Sequence, residues 1–429
     1  MATNEITNGY SNGFHNRRVV ITGMGVIAAN GLELDKFWES IRLGKSAAGP
    51  VTRFKTMNLP NKIAAQINDF DPANYLDTKK ARRFETSIQY GMSAALLAVK
   101  DSKIDFQAMD PDRVGIVEAT SVGGMESTLK AYSSFLNKGY KAMSPFTFIN
   151  AYCGGGSGEI ALELGIKGHA ITYCSGSASG NDGIGYAMKM IQSDEVDLMV
   201  AGGAEAPLME GFWNGFCVAK VMTRENDNPE QAMKPFDARR DGFLLGEGAA
   251  FMVLEELSHA LARGAKIYAE VVGHGRSCEA HHSVAPHPEG VGMYRAMEKC
   301  LRSAKLHTSE INYINAHGTA TEVNDLAETR AIKKLFGPYA NRLAVSSTKP
   351  ITGHLLGAAG SIEAVICALA LKNQEIPATL NLKEPAPDCD LDYVPLQSRP
   401  YPIKVALNLS AGFGGKNSCL AMKQYSENA

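Results

Sequence analysis

Short apolar runs that end in small residues recur along this chain. Most are followed by a stretch with apolar residues three and four apart. That alternation predicts strand, turn and helix, repeated many times. The first run, Arg18-Val19-Val20-Ile21-Thr22-Gly23-Met24-Gly25, is a strand ending in glycines, and FETSIQYGMSAALLAVKD is a helix behind the basic segment Asp77–Arg83. RVGIVEA, Arg113 to Ala119, is a strand leading into Ser121-Val122-Gly123-Gly124, and SPFTFINAYCGGGSGEIALELGIKG reads as a loop-rich connection. Ile171-Thr172-Tyr173 is a β-branched and aromatic strand that passes through five small residues and Gly180 into a helix carrying Ile184, Tyr186, Met188 and Ile191. Val196–Ala201 is a buried strand ending in Gly202-Gly203-Ala204-Glu205, and Ala249–Glu255 is another strand beyond a turn-rich loop.

From Ile267 the pattern restarts. IYAEVVGHG answers RVVITGMG, INYINAHGTAT answers RVGIVEATSVG, and LAVSSTKPITGHLLGAAGSIEAVICALALKN answers HAITYCSGSASGNDGIGYAMKMIQ. Two α/β halves of similar βαβ topology follow, residues 18–265 and 266–429, meeting at a shared core. Residues 1–17 read as a polar, disordered tail with no apolar signal core.

The totals narrow the function classes. A formal net charge of −2 argues against a nucleic-acid partner. No apolar run reads as long enough to span a bilayer, so a cytoplasmic protein is expected. The eight cysteines lack zinc spacing, and most are expected to be inert buried thiols. GMGVIA lacks the third glycine and the acidic partner of a dinucleotide fingerprint. His281, His282 and His287 lie among prolines and read as loop rather than metal ligands, so no metal is expected.

Chemistry collects at three polar turns that follow apolar strands: Cys174 and Ser177 in CSGSASG, His317 in NAHGTAT, and Lys349 with His354 in STKPITGH. Strand ends of α/β sheets open onto the ligand crevice. A hydroxyl or thiol at a helix start faces unpaired N–H groups that favour developing negative charge, so Cys174 and Ser177 both qualify as nucleophiles. Two neutral imidazoles can each donate an N–H to a carbonyl oxygen that becomes an enolate, and a lysine beside them sets a tautomer or charge state. That is equipment for acyl transfer and carbanion chemistry.

KPFDARRDGFLLGEGAAFMVLEE, NAHGTAT, STKPITGHLLGAAGSIEA, CDLDYVP and GFGG resemble the β-ketoacyl-acyl-carrier-protein synthases, over nearly all of residues 18–424. The nearest groups are the elongating synthases of type II fatty acid synthesis and the ketosynthase subunits of type II polyketide synthases. The resemblance implies the thiolase fold, with duplicated βαβαβαββ halves in a layered α-β-α-β-α core. It implies that His317 and His354 assist decarboxylation of a malonyl carrier-protein thioester. Lys349 would organise His354, with Glu363 as its partner.

The family nucleophile is a cysteine. Counting from Gly165-Ile166-Lys167-Gly168, or back from Gly185-Tyr186-Ala187, its position falls on Ser177, with Cys174 on the strand side. An alcohol is a far weaker acid than a thiol and needs a general base. Three explanations stand: an engineered Cys→Ser substitution, a natural serine acyltransferase working through an oxyester, or a silent subunit supporting an active partner. Retention of both histidines and Lys349 weighs against the third. Leu409-Ser410-Ala411-Gly412-Phe413-Gly414-Gly415 puts Ala411 where the family's fatty acid synthases carry a gating phenylalanine, which implies a roomier channel. Phe413 would pack against the malonyl site, and the N–H groups of Ser177 and Ala411 would form an oxyanion hole.

The resemblance further implies a phosphopantetheine arm delivered by acyl carrier protein, with no tightly bound cofactor. It also implies a homodimer, or a heterodimer with a chain-length-factor homologue. Lys79, Lys80, Arg82 and Arg83 are expected to dock the acidic carrier. Met209, Phe212, Trp213, Phe216 and Val218 are expected to line the acyl tunnel or the subunit interface, or to be plain core.

Overall fold

Ten strands frame the structure, a computed structural model that describes residues 17–426. The tail expected over residues 1–17 lies outside the described residues except for Arg17, which donates to the Ile191 carbonyl at 3.0 Å. The strands of the first half are β1 (Val19–Ala28), β2 (Val114–Ala119), β3 (Ala170–Tyr173), β4 (Leu198–Glu205) and β5 (Gly248–Glu256). Those of the second are β6 (Ala269–Cys278), β7 (Tyr313–Asn315), β8 (Ala344–Ser346), β9 (Val405–Gly412) and β10 (Lys416–Lys423).

Each set is ordered third, second, fourth, fifth, first. In both, the third and fourth strands run parallel to the second, and the fifth is antiparallel to its neighbours. The segments that answer each other in sequence thus occupy equivalent places. A short antiparallel pairing of Val19–Ile21 with Ala269–Val271 joins the sets at their first strands.

Helix α1 (Thr86–Ser102) covers the outer face of β1, β4 and β5. Gly23 and Gly25 serve that contact: a Cβ would come within 2.2 Å of the Ala98 carbonyl and 2.1 Å of the Ala94 carbonyl. The GMG run is therefore the interior of a strand under a helix, not a phosphate turn.

Four expectations need correction. The buried strand continues through Gly202-Gly203-Ala204-Glu205, because it stays in register with β5 up to the Glu205–Gly248 pair. Helix α2 (Met125–Lys138) precedes the loop-rich connection, which itself contains α3 (Gly155–Leu164). Glycines hid the helical period of α3; at Gly156 a Cβ would fall 2.2 Å from the Glu118 carboxylate. Leu356–Asn373 is in fact long and apolar enough to cross a membrane by composition, yet it is buried inside the protein, as a core helix is. Among the cysteines, Cys300, Cys367, Cys389 and Cys419 are buried as expected, whereas Cys153, Cys174 and Cys278 are exposed and Cys217 is half-buried.

The core between the two sets of five strands is made by α4 (Ser179–Gln192), which follows β3, and a later helix, Ala359–Asn373, which follows β8. Both helices contact strands of both halves as well as each other. Their crossing depends on missing side chains: a Cβ on Gly180 would lie 2.4 Å from Ser361 N, and one on Gly360 would lie 2.7 Å from Asn181 N. The later helix is buried from Ala359 to Leu371. Each fully buried Leu or Ile there contributes about 1.5–3 kcal/mol relative to exposure. This close crossing brings the turn before α4 against the loop before its counterpart.

Candidate active site

Residues 174–178 connect β3 to α4. Gly176 has φ +66°, a left-handed conformation that glycine adopts freely. Ser179 Oγ accepts from Ser175 N at 2.8 Å and donates to the Gly176 carbonyl at 2.6 Å, which closes the turn. Ser177, half-buried, emerges from it with Oγ 3.1 Å from His354 Nε2. Cys174 is exposed, with Sγ 3.6 Å from the Ser121 carbonyl, and is not among the residues lining the cavity described below.

His317 follows β7. Its N–H and that of Gly318 donate to Glu328 at 2.6 and 2.8 Å, so a carboxylate from α7 (Glu322–Phe336) fixes the turn; α5 (Glu210–Ala219) and α6 (Val291–Ala304) precede it in the chain. His354 is held by main-chain bonds, its N–H to Leu244 O at 2.7 Å and its carbonyl from Gly246 N at 3.0 Å. The imidazole rings of His317 and His354 stand nearly perpendicular with centroids 5.4 Å apart, and the Phe243 ring lies edge-on to His354 at 5.3 Å. Lys349, fully buried, reaches Glu363 on the helix Ala359–Asn373, here α8, with Nζ–Oε1 2.5 Å.

Burial pushes both histidines well below 6.5, and the charge of Lys349 pushes them further the same way. Both imidazoles are therefore neutral at neutral pH, each with one N–H to donate and one nitrogen to accept. Burial raises Glu363 to about 6, with Lys349 pulling it back.

Ser177, His317 and His354 open into one cavity of about 490 Å³. Phe212 and Phe216 of α5 line it, as do Ala411 and Phe413, whereas Trp213 is core, Met209 is buried and Val218 is exposed. The apolar stretch around α5 thus divides between pocket wall, core and surface. Glu279 also lines the cavity and ties the loop carrying His281 and His287 to Gly415, whose carbonyl accepts from Glu279 N at 2.9 Å. In that loop the His282 ring accepts from Val284 N and Ala285 N, both at 3.0 Å.

Two carboxylates that sequence reasoning left without a role organise the site. Glu328 holds His317, eleven positions earlier in the chain, through backbone N–H groups. Glu205 accepts from Ser121 N at 2.6 Å, Val122 N at 3.1 Å and Gly357 N at 2.9 Å, and so ties the turn after β2 to the loop after His354. Burial raises it to about 7. An acidic residue closing a Gly-Gly-Ala strand was the available signal, but its partners are distant backbone groups that no spacing reveals.

Lys79, Lys80, Arg82 and Arg83 are exposed around a short helix capped by Asp77. Lys80 is already paired with Glu163 of α3 at 2.6 Å, and the Arg83 guanidinium lies over Phe146 at 5.3 Å.

A thiolase fold, with a potential nucleophile at one helix start and two neutral histidines brought to it from the repeated half, defines an acyltransferase of the condensing type. The family profile for the β-ketoacyl synthase N-terminal domain matches residues 16–260, and that for the C-terminal domain matches residues 268–383. The chain is 41% identical to a 3-oxoacyl-[acyl-carrier-protein] synthase 2 of Synechocystis over 95% of its length and 98% of the relative's. It is 42% identical to the synthase of that name from Coxiella burnetii, over 95% and 99%. Among solved structures it resembles the ishigamide ketosynthase/chain length factor, with TM-score 0.90 and 34% identity over 96% of this chain and 100% of that one. It also resembles a type II polyketide ketosynthase solved with its acyl-carrier protein and a bound hexaketide, with TM-score 0.88 and 31% identity over 95% and 100%. The chain belongs to the β-ketoacyl synthase family.

Proposed function

We propose that the chain catalyses decarboxylative condensation of an acyl thioester with a malonyl thioester, both delivered on the phosphopantetheine arm of an acyl carrier protein. The observation that carries this reading is the convergence of Ser177 Oγ, 3.1 Å from His354 Nε2, with the perpendicular ring of His317 in one cavity. Residue 177 attacks the acyl thioester, and the carrier thiol leaves. In this chain the attacking group is an alcohol, and neutral His354 is in reach to accept its proton. Malonyl carrier protein then loses carbon dioxide while the N–H groups of His317 and His354 hydrogen-bond the enolate oxygen. The enolate carbon attacks the acyl group, the C–O bond to Ser177 breaks, and the serine oxygen takes its proton back from His354 Nε2. Lys349 and Glu363 form a buried pair beside the histidines, and the N–H groups of Ser177 and Ala411 serve the tetrahedral oxyanion.

Ala411 in place of a bulky side chain supports a channel open to rigid or unreduced acyl chains. Lys79 and Arg82 offer positive charge for carrier docking, with Lys80 and Arg83 beside them. A dimeric assembly is supported by an exposed apolar band: Leu129, Tyr132, Phe135 and Leu136 on α2, with Phe148 and Tyr152. Nearby, β3 leaves the sheet edge open. The partner is a second copy or a chain-length-factor homologue.

Intact-mass spectrometry after incubation with acyl carrier protein tests the reading. An oxyester adduct mapped to Ser177 supports it. Absence of any adduct, with carbon dioxide still released from malonyl carrier protein, would move the chain to a decarboxylating or supporting subunit.

A further inference from the structure

Beneath the turn that carries Ser177 lies a buried polar chain that the mechanism does not use. Ser175 Oγ donates to Asp182 Oδ2 at 2.7 Å. His274 Nε2 lies 3.3 Å from Asp182 Oδ1 and 3.0 Å from Ser418 Oγ. Asp182 and His274 are both buried, and they come from different halves of the chain: Asp182 from the first turn of α4, His274 from β6. The fold makes room for this pairing, since a Cβ on Gly185 would fall 2.2 Å from Cγ of the His274 ring. Next to Asp182, Asn181 Nδ2 donates to the carbonyls of Asn408 and Ser418 at 3.0 and 3.3 Å, so the same helix turn is pinned twice to the second half.

A buried carboxylate is retained only when its oxygens are paired, and here each has a side-chain partner. One oxygen is used on the nucleophile turn and the other on a strand of the second half. Burial pushes Asp182 up, but the hydrogen bonds from His274, Ser175 and Ser418 outweigh it and hold the carboxyl below its ordinary value. The first turn of α4 also favours the anion through the helix dipole.

We propose that Asp182 and His274 are positioning residues that set the Ser175-Gly176-Ser177 turn, so that the side chain of residue 177 faces His354. The inference rests on residue 177 being the acyl acceptor, yet the geometry can be tested without any acyl transfer. Among the described residues, none of Ser175, Asp182, His274 and Ser418 is hydrogen-bonded to His317 or His354. The network therefore reaches the histidine pair through the nucleophile turn.

The test uses the full-length S177C protein. Iodoacetamide labelling of the thiol introduced at position 177 is followed by peptide mass spectrometry, with exposed Cys278 as the internal control. Adding S175A, D182N or H274F should each slow labelling at position 177, by up to about a hundredfold for an ångström-level misplacement, and leave Cys278 unchanged. H274Q, whose amide can reach the Nε2 position, should restore the rate, which a packing role for the ring would not allow. S175A combined with D182N should be no slower than either alone, because both break one link. Unchanged labelling at position 177, multiplicative effects of S175A and D182N, or equal loss in H274F and H274Q would overturn the proposal. Failure of the acyl-acceptor reading registers separately, as a missing adduct on Ser177 in the unsubstituted protein.

Discussion

Replacing Lys349 with methionine while keeping Glu363 should destabilise the protein by an amount that grows with pH. Both side chains are fully buried and their charged atoms are 2.5 Å apart. Burial raises Glu363 from 4.5 to about 6, with Lys349 opposing the rise. A carboxyl raised on folding contributes stability that is fully present below its unfolded value and is lost as pH rises through its folded value. In the native protein that loss levels off at about 6, where the folded carboxyl also ionises. Without the ammonium the carboxyl stays protonated in the fold to higher pH, so the loss continues.

Each pH unit above the unfolded value costs about 1.4 kcal/mol. Compared with K349M/E363Q, in which neither group titrates, K349M should be less stable by about 0.7 kcal/mol at about pH 5 and by about 3.4 kcal/mol at about pH 7. The larger figure falls in the range of ~3–5 kcal/mol for leaving half of a buried pair behind. Urea denaturation of the two variants across this range measures the gap, and every other titrating group is common to both and cancels. An equal gap at both ends would refute the reasoning, because Glu363 would then carry no unpaired charge to bury.

Other consequences follow from the same site. Because burial and Lys349 hold His317 and His354 well below 6.5, carbon dioxide release from malonyl carrier protein should show no acid limb near 6.5, and such a limb would mean the imidazoles are solvated. K79E together with R82E should raise KM for the carrier by about tenfold at low salt, with kcat unchanged and the effect shrinking as salt is added. A411F should narrow the channel and lower kcat/KM for long acyl chains by about tenfold relative to short ones, measured by competition between carriers of two chain lengths.

The repeat of strand, small-residue turn and helix was legible in the sequence because a twofold period and a helical period leave distinct apolar patterns. The polar turns bearing Ser177, His317 and His354 stood out because each interrupts an apolar run. Segments whose helices are built from glycine and alanine were less legible. In α3, Gly155, Gly156 and Gly158 erase the amphipathic signal; at Gly155 and Gly156 neighbouring groups, Glu118 among them, come too close for a side chain. Leu356–Asn373 misled in another way, since burial between the two sets of strands makes a core helix as apolar as a membrane span.

By itself the sequence determined the duplicated α/β architecture, the family and the residue types of the site, since local period and motif spacing are properties of the chain alone. Tertiary structure decided that Ser177 rather than Cys174 meets His354, although the two candidates are only three positions apart. The choice depends on which side of a left-handed glycine each falls and on where two helices cross. Tertiary structure also decided the work of Glu205, Glu328, Asp182 and His274. Their partners lie on other elements or turns, 7 to 152 positions away, and only packing brings a buried carboxylate to the groups that satisfy it.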